Sequence, residues 1–220
     1  MKNFSDFVQY FNETPVEDIP AVAAQVLTRA ENWCGIVSDY IAELSDTEFC
    51  QNVLRAYVAC VEPKVFLLYE QPGKFQIVLH HFDLRAFNAY WKAGFLGPHY
   101  HHFPFSTRLL QGSYYNWIYD NHGNLQQPEL KLALQAKCQT GDVYTLPYDR
   151  FHCVLMPQND TMTLMVRGKA VANPGHRKSK RPLGPSCKEA LVLKMRSRLL
   201  KLLGDPPQPQ PGQLVSFQQV

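Results

Sequence analysis

Three histidines carry most of the chemistry open to this sequence. His99 and His101 are separated by one residue, and His152 follows the turn-forming run Pro147-Tyr148-Asp149-Arg150. On a β-strand alternate side chains share a face, so His99 and His101 would point to one side and His102 to the other. His152, arriving from a second strand, would complete three nitrogen ligands for one metal ion. Imidazole suits iron, zinc, copper or nickel, and three protein ligands leave positions open for substrate and for oxygen or water. His80, His81, His122 and His176 have no partner at ligand spacing and are expected to be structural or exposed.

Around the triad, Tyr115, Arg108 and Arg167 are the candidate catalytic and substrate-binding residues. A guanidinium fork suits a carboxylate, so either arginine could hold an anionic substrate group. Tyr115, Trp117 and Tyr119 would share one face of a strand, and Tyr114, Asn116 and Ile118 the other. Whichever set points inward brings an aromatic ring. Tyr100 and Tyr148 are candidates for orienting a substrate or closing a mouth. Cys153 should face away from His152.

These side chains need strands to hold them. The stretches 65–69, 75–80, 107–110, 113–119, 143–146, 151–156 and 161–167 are short, mostly rich in β-branched and aromatic residues, and bounded by turn signals, and 130–137 is another strand candidate despite its helix-friendly composition. Gln71-Pro72-Gly73-Lys74 and Asn121-His122-Gly123-Asn124 read as hairpin turns. The segment 83–92 is a short helix or a long connection. Many short strands at regular spacing predict a mainly β sandwich or barrel.

The histidine stretches resemble the two motifs of the cupin superfamily, whose fold is a double-stranded β-helix. The first motif runs His-x-His, then glutamate, then glycine. This chain has His99-x-His101, three residues, Phe105, six residues and Gly112. The second runs Gly, Pro-x-Gly, His, Asn; here Gly141, Pro147, Asp149, His152 and Met156 stand in those places. The resemblance spans roughly residues 64–171. With Phe105 in place of glutamate the site is similar to that of three-histidine Fe(II) thiol dioxygenases, the cysteine dioxygenase-like family, as Leu109-Leu110-Gln111-Gly112 also suggests. That family's substrate-carboxylate arginine would fall near Val65, and its thioether-forming cysteine between His101 and Gly112; neither is present. The resemblance therefore implies the cupin barrel and metal triad but not the substrate. It implies a mononuclear non-heme iron oxygenase using O2 on a small molecule, with Fe(II), or Zn, Ni or Mn, at His99, His101 and His152. A metal-dependent isomerase, lyase or hydrolase, or a non-catalytic ligand-binding cupin, are the alternatives.

The flanking regions differ from this centre. Residues 1–62 read as a helical cap, with capping boxes at Thr14-Pro15-Val16-Glu17 and Ser45-Asp46-Thr47-Glu48, the second opening a helix towards Cys60. Pro20 should break or re-cap a helix. The barrel would occupy 63–172. Residues 173–220 would form a basic linker, an amphipathic helix over 186–203 and a disordered Pro/Gln tail. Residues 1–166 carry a net charge of −6 and residues 167–220 a net charge of +9, so the basic tail reads as a helix packed on the acidic body or as a loose solvated extension. No aromatic-interleaved basic motif supports nucleic-acid binding. Six dispersed cysteines without a C-x-x-C pair read as reduced thiols. No apolar run suits a membrane span and the N-terminus lacks a signal-like apolar core, so a cytoplasmic protein is expected. The sequence leaves homodimerisation open.

Overall fold

The computed structural model describes residues 1–56, 63–171 and 189–204. In chain order the elements are α1 (Phe4–Glu13), α2 (Ile19–Leu27), α3 (Trp33–Glu43), α4 (Asp46–Ala56), β1 (Lys64–Gln71), β2 (Phe75–Phe82), α5 (Leu84–Lys92), β3 (Phe105–Gln111), β4 (Ser113–Asn121), β5 (Leu130–Gln139), β6 (Val143–Leu146), β7 (Phe151–Leu155), β8 (Thr161–Arg167) and α6 (Glu189–Gly204). The expected basic linker over 173–182 and the Pro/Gln tail lie outside the described residues, as does Cys60.

The strands form two sheets, β1-β2-β8-β3-β6 and β5-β4-β7, with antiparallel pairing throughout. The chain changes sheet four times: at Gly112, at 140–142, at 147–150 and at 156–160. Three of these corners use a residue with positive φ: Gly112 (φ 80), Gly141 (φ 95), and Met156 with Asp160 (φ 48 and 60). Gly112 has a second constraint. A Cβ there would stand 2.3 Å from Thr161 Oγ1 and 2.9 Å from Thr161 Cα. Asp149, where the cupin motif has glycine, needs no left-handed backbone, since its φ is not positive.

Period-two alternation assigns the faces of the larger sheet. Ile77 and Leu79 of β2, Leu110 of β3 and Met162, Leu164 and Val166 of β8 join a core with the helices. Val78 and Phe82 of β2, Phe105 and Leu109 of β3 and Met165 of β8 join a second core with Tyr114 and Ile118 of the smaller sheet. The larger sheet is thus buried on both faces, which accounts for the burial of nearly every residue of β2, β3 and β8.

The helical side is built by Phe4, Phe7 and Phe11 of α1, at helical spacing, and by buried residues of α2 and α3. Thr14 does not open a helix. It follows the end of α1, where its Oγ1 donates to the Tyr10 carbonyl at 2.8 Å. Val16–Asp18 form one 3-10 turn, and Pro20 sits in the first turn of α2, where a missing N–H costs nothing. The second capping box does form: Ser45 N donates to Glu48 Oε2 at 2.9 Å, and Glu48 N to Ser45 Oγ at 3.2 Å. Helix α6 lies on this layer through Val192, Leu199 and Leu203. Arg196 fastens it, donating to the carbonyls of Ile41, Ala42 and Leu44 at the C-terminal end of α3 and pairing with Asp46 at the start of α4. A cation at those carbonyls also opposes the negative end of the α3 dipole.

Cys34, Cys50, Cys138 and Cys153 are buried free thiols. Among the described residues no helix is long and apolar enough to cross a membrane.

A three-histidine candidate metal site

His99 and His101 lie on the segment between α5 and β3. It carries Pro98 and Pro104, which cannot donate to a ladder, and it forms no strand. It is held to β7 at His99, and to the chain after β8 where Val171 N donates to the His102 carbonyl and Gly168 N to the Pro104 carbonyl. His99 and His152 form an isolated antiparallel bridge, His99 N donating to the His152 carbonyl at 2.9 Å and the reverse bond measuring 2.8 Å. This brings one ring from the segment beside one from β7, with ring centroids 4.7 Å apart. His101 comes in from two residues further on, and the ligand nitrogens of all three lie within 4.8 Å of one another.

The nitrogens are set up for a cation. His99 Nδ1 lies 3.0 Å from the Gly97 carbonyl, and His152 Nδ1 lies 3.1 Å from Asn116 Oδ1. Each acceptor holds a proton on Nδ1, leaving the Nε2 lone pair of both rings for the centre. His101 Nε2 and His152 Nε2 face each other at 3.0 Å, close to the separation of two nitrogens each about 2.1 Å from one ion. Burial and the proximity of the other histidines push the His101 and His152 pKa values well below the ordinary range, so both rings are neutral, the form that ligates. Phe105 is fully buried and packs edge-on against His101 at 5.2 Å, placing an apolar ring beside the cluster.

The site opens on a cavity of about 450 Å³ between the two sheets. Its lining includes Val65, Phe82, Phe87, Leu96, Val154 and Met165, together with the polar groups of His80, Tyr114, Tyr144 and Arg167. Tyr114 and Tyr144 share a 2.7 Å hydroxyl–hydroxyl hydrogen bond, and burial raises both phenol pKa values, so both stay protonated. Cys153 also touches the cavity, but burial pushes its thiol up to about 11, leaving it protonated.

Strand parity separates the other sequence candidates. Arg167, on the inner face of β8, lines the cavity. Arg108 is on the outer face of β3 and turns to the helices, where Nη1 donates to the Leu27 carbonyl at 2.6 Å. On β4, Tyr114, Asn116 and Ile118 point inward and are buried, whereas Tyr115 is exposed on the outer face. Tyr100 lines the cavity and packs on Phe151 at 5.0 Å; Tyr148 is exposed at the turn before β7. Asn116 and His80 were the site residues that spacing did not single out. His80 is buried in the cavity wall, and His81, on the opposite face of β2, bonds Asp160 at 2.7 Å. The inward face of β4 could have been recognised from Asn116 itself: a polar residue flanked at i±2 by Tyr114 and Ile118 needs a buried partner.

A cluster of three imidazoles in a cavity between two antiparallel sheets is therefore what fold and site define. No known protein-family profile matches the sequence. No curated protein matches it either. Among solved structures it is similar to KdgF from Halomonas sp. (13% identity over 49% of this chain and 81% of that one, TM-score 0.33) and to an RmlC-like cupin from Shewanella frigidimarina (13% identity, 49% and 76%, TM-score 0.32). It is also similar to vicilin from tomato (15% identity, TM-score 0.37), where 58% of this chain covers only 33% of that one. Likeness at this level says nothing of activity.

Proposed function

We propose that this chain is a cupin-type mononuclear metalloprotein acting as an oxygenase on a small molecule. The observation that carries the reading is the convergence of His99, His101 and His152 on a cavity of small-molecule size, with Phe105 rather than a carboxylate beside them. The three imidazoles would hold the ion, and Fe(II) suits such a nitrogen set. Bound there, iron would supply O2 activation and a coordination position for substrate. The chain does the rest. Asn116 and the Gly97 carbonyl fix the ring orientations and tautomers. Phe105 and the apolar wall exclude water. Tyr114 and Tyr144, hydrogen-bonded to each other, line the cavity, where a protonated phenol could hydrogen-bond the reacting molecule.

Metal analysis tests this first. Purified protein should carry close to one equivalent of iron, and the His99→Ala/His152→Ala double variant almost none. Equal iron in the two proteins would remove the site. An O2-uptake screen of small molecules on iron-loaded protein tests the oxygenase step. Turnover supported equally by zinc and without O2 consumption would assign a Lewis-acid reaction instead.

A further inference from the structure

Among the described residues, one charged group in the cavity has no partner of opposite sign. Arg167 closes the inner face of β8, with Cζ 4.9 Å from the Phe103 ring centroid. One Nη donates to His80 Nε2 at 3.2 Å, and Nε is buried with no hydrogen-bond partner. Among the described residues no carboxylate pairs with it. Burial lowers its pKa only to about 10, so it stays charged at neutral pH.

His80 cannot supply the missing charge. Its Nε2 accepts from Arg167, so Nδ1 keeps the proton and faces Thr163 Oγ1 at 3.3 Å. The ring is neutral and acts as a brace, setting the direction of the guanidinium. Phe103 braces it from another side and stacks in turn on His101 at 5.1 Å. The guanidinium and the metal-binding rings are thus two stacking distances apart, with the cavity before both. A half-buried cation whose Nε is buried and unpartnered is costly unless an anion completes it. Among the described residues the cavity lining contains no Asp or Glu to do so, nor any to receive an ammonium group.

We propose that Arg167, braced by His80 and Phe103, is a carboxylate subsite, and that the cavity selects a short monocarboxylate lacking an ammonium group. The carboxylate takes the guanidinium fork, and the other end of the molecule reaches the three histidines. This deepens the oxygenase reading and rests on it for the far end only; the anion subsite needs no metal.

The two parts can fail separately. Ligand-observed NMR on the full-length chain measures binding of propionate, its neutral isostere propionamide, β-alanine (the same acid with an ammonium group) and inorganic phosphate. The His99→Ala/His152→Ala variant is measured alongside, because propionate cannot bind a metal there. We expect propionate to bind both proteins, at least ten-fold more tightly than propionamide, β-alanine or phosphate. Arg167→Met should weaken propionate at least ten-fold, and Arg167→Lys, which keeps the charge but loses the fork, by less. Propionamide binding as well as propionate overturns the subsite without any variant at Arg167. β-Alanine or phosphate binding as tightly as propionate overturns the assignment of the substrate class. Propionate binding in the double-histidine variant with iron absent from the wild type would keep the subsite and sink the metal reading alone.

Discussion

Asn116 offers the most discriminating test of the metal site, because it touches a ligand without being one. Its amide is fully buried, Oδ1 holds the His152 Nδ1 proton at 3.1 Å, and its Nδ2 has no partner. Asn116→Leu keeps the branched heavy-atom framework of the side chain and removes both the acceptor and the orphaned amide. Loss of such a supporting hydrogen bond lowers metal affinity about 10–100-fold, or about 1.4–2.7 kcal/mol. Stability of the metal-free protein should change by less than about 1 kcal/mol, since one lost bond is offset by one orphan removed. Metal affinity is read by chelator competition with Co(II), and stability by urea unfolding. The pair is then measured in a His152→Ala background, where Asn116→Leu should have no further effect on affinity. Unchanged affinity in the wild-type background, or an equal loss in both, would refute the argument that Asn116 acts through His152.

Other consequences are simpler to check. In metal-free protein His80, His101 and His152 have folded pKa values below the unfolded value near 6.5, so acid favours the unfolded chain. Stability should be constant above that pH and fall by up to about 3 kcal/mol between pH 6.5 and 5.5; a flat urea midpoint over that window would contradict the burial of neutral rings. Arg196→Met should cost about 2–3 kcal/mol by removing charge-assisted bonds to the end of α3, and Arg196→Lys should recover only part of it, both read by urea unfolding. Met156, exposed and at φ 48, should gain about 0.5–1 kcal/mol on replacement by glycine or asparagine, visible as a rise in Tm.

The strands and the triad were legible because turn chemistry and ligand spacing are local. Val143–Leu146 and Thr161–Arg167 stand where their apolar runs begin and end. The inward faces were harder. On β3, Phe105, Thr107 and Leu109 face the cavity side while Ser106, Arg108 and Leu110 face the helices, and all six are buried. Where both faces are covered, hydropathy carries no alternation, so nothing in the residues around Arg108 says which way it turns. His80 was hidden for another reason. Its role depends on β2 lying against β8, which places it opposite Thr163 and within reach of Arg167, a pairing between residues more than eighty positions apart. Thr14 shows local ambiguity: Thr-Pro-x-Glu suits a helix start, but the Phe4, Phe7 and Phe11 stripe ends immediately before it and makes it a terminus.

The reciprocal bond pair between His99 and His152 couples two tasks. The same segment that supplies His99 and His101 also supplies Phe95, Leu96 and Pro98 to the cavity wall. Peeling that segment back to widen the entrance would break both bridge bonds and draw two ligands away from the third. A small molecule entering without that rupture would need side chains to turn aside, the exposed Phe95 among them, with the backbone in place. Molecular width at the entrance, rather than segment opening, then becomes the filter on what reaches the histidines.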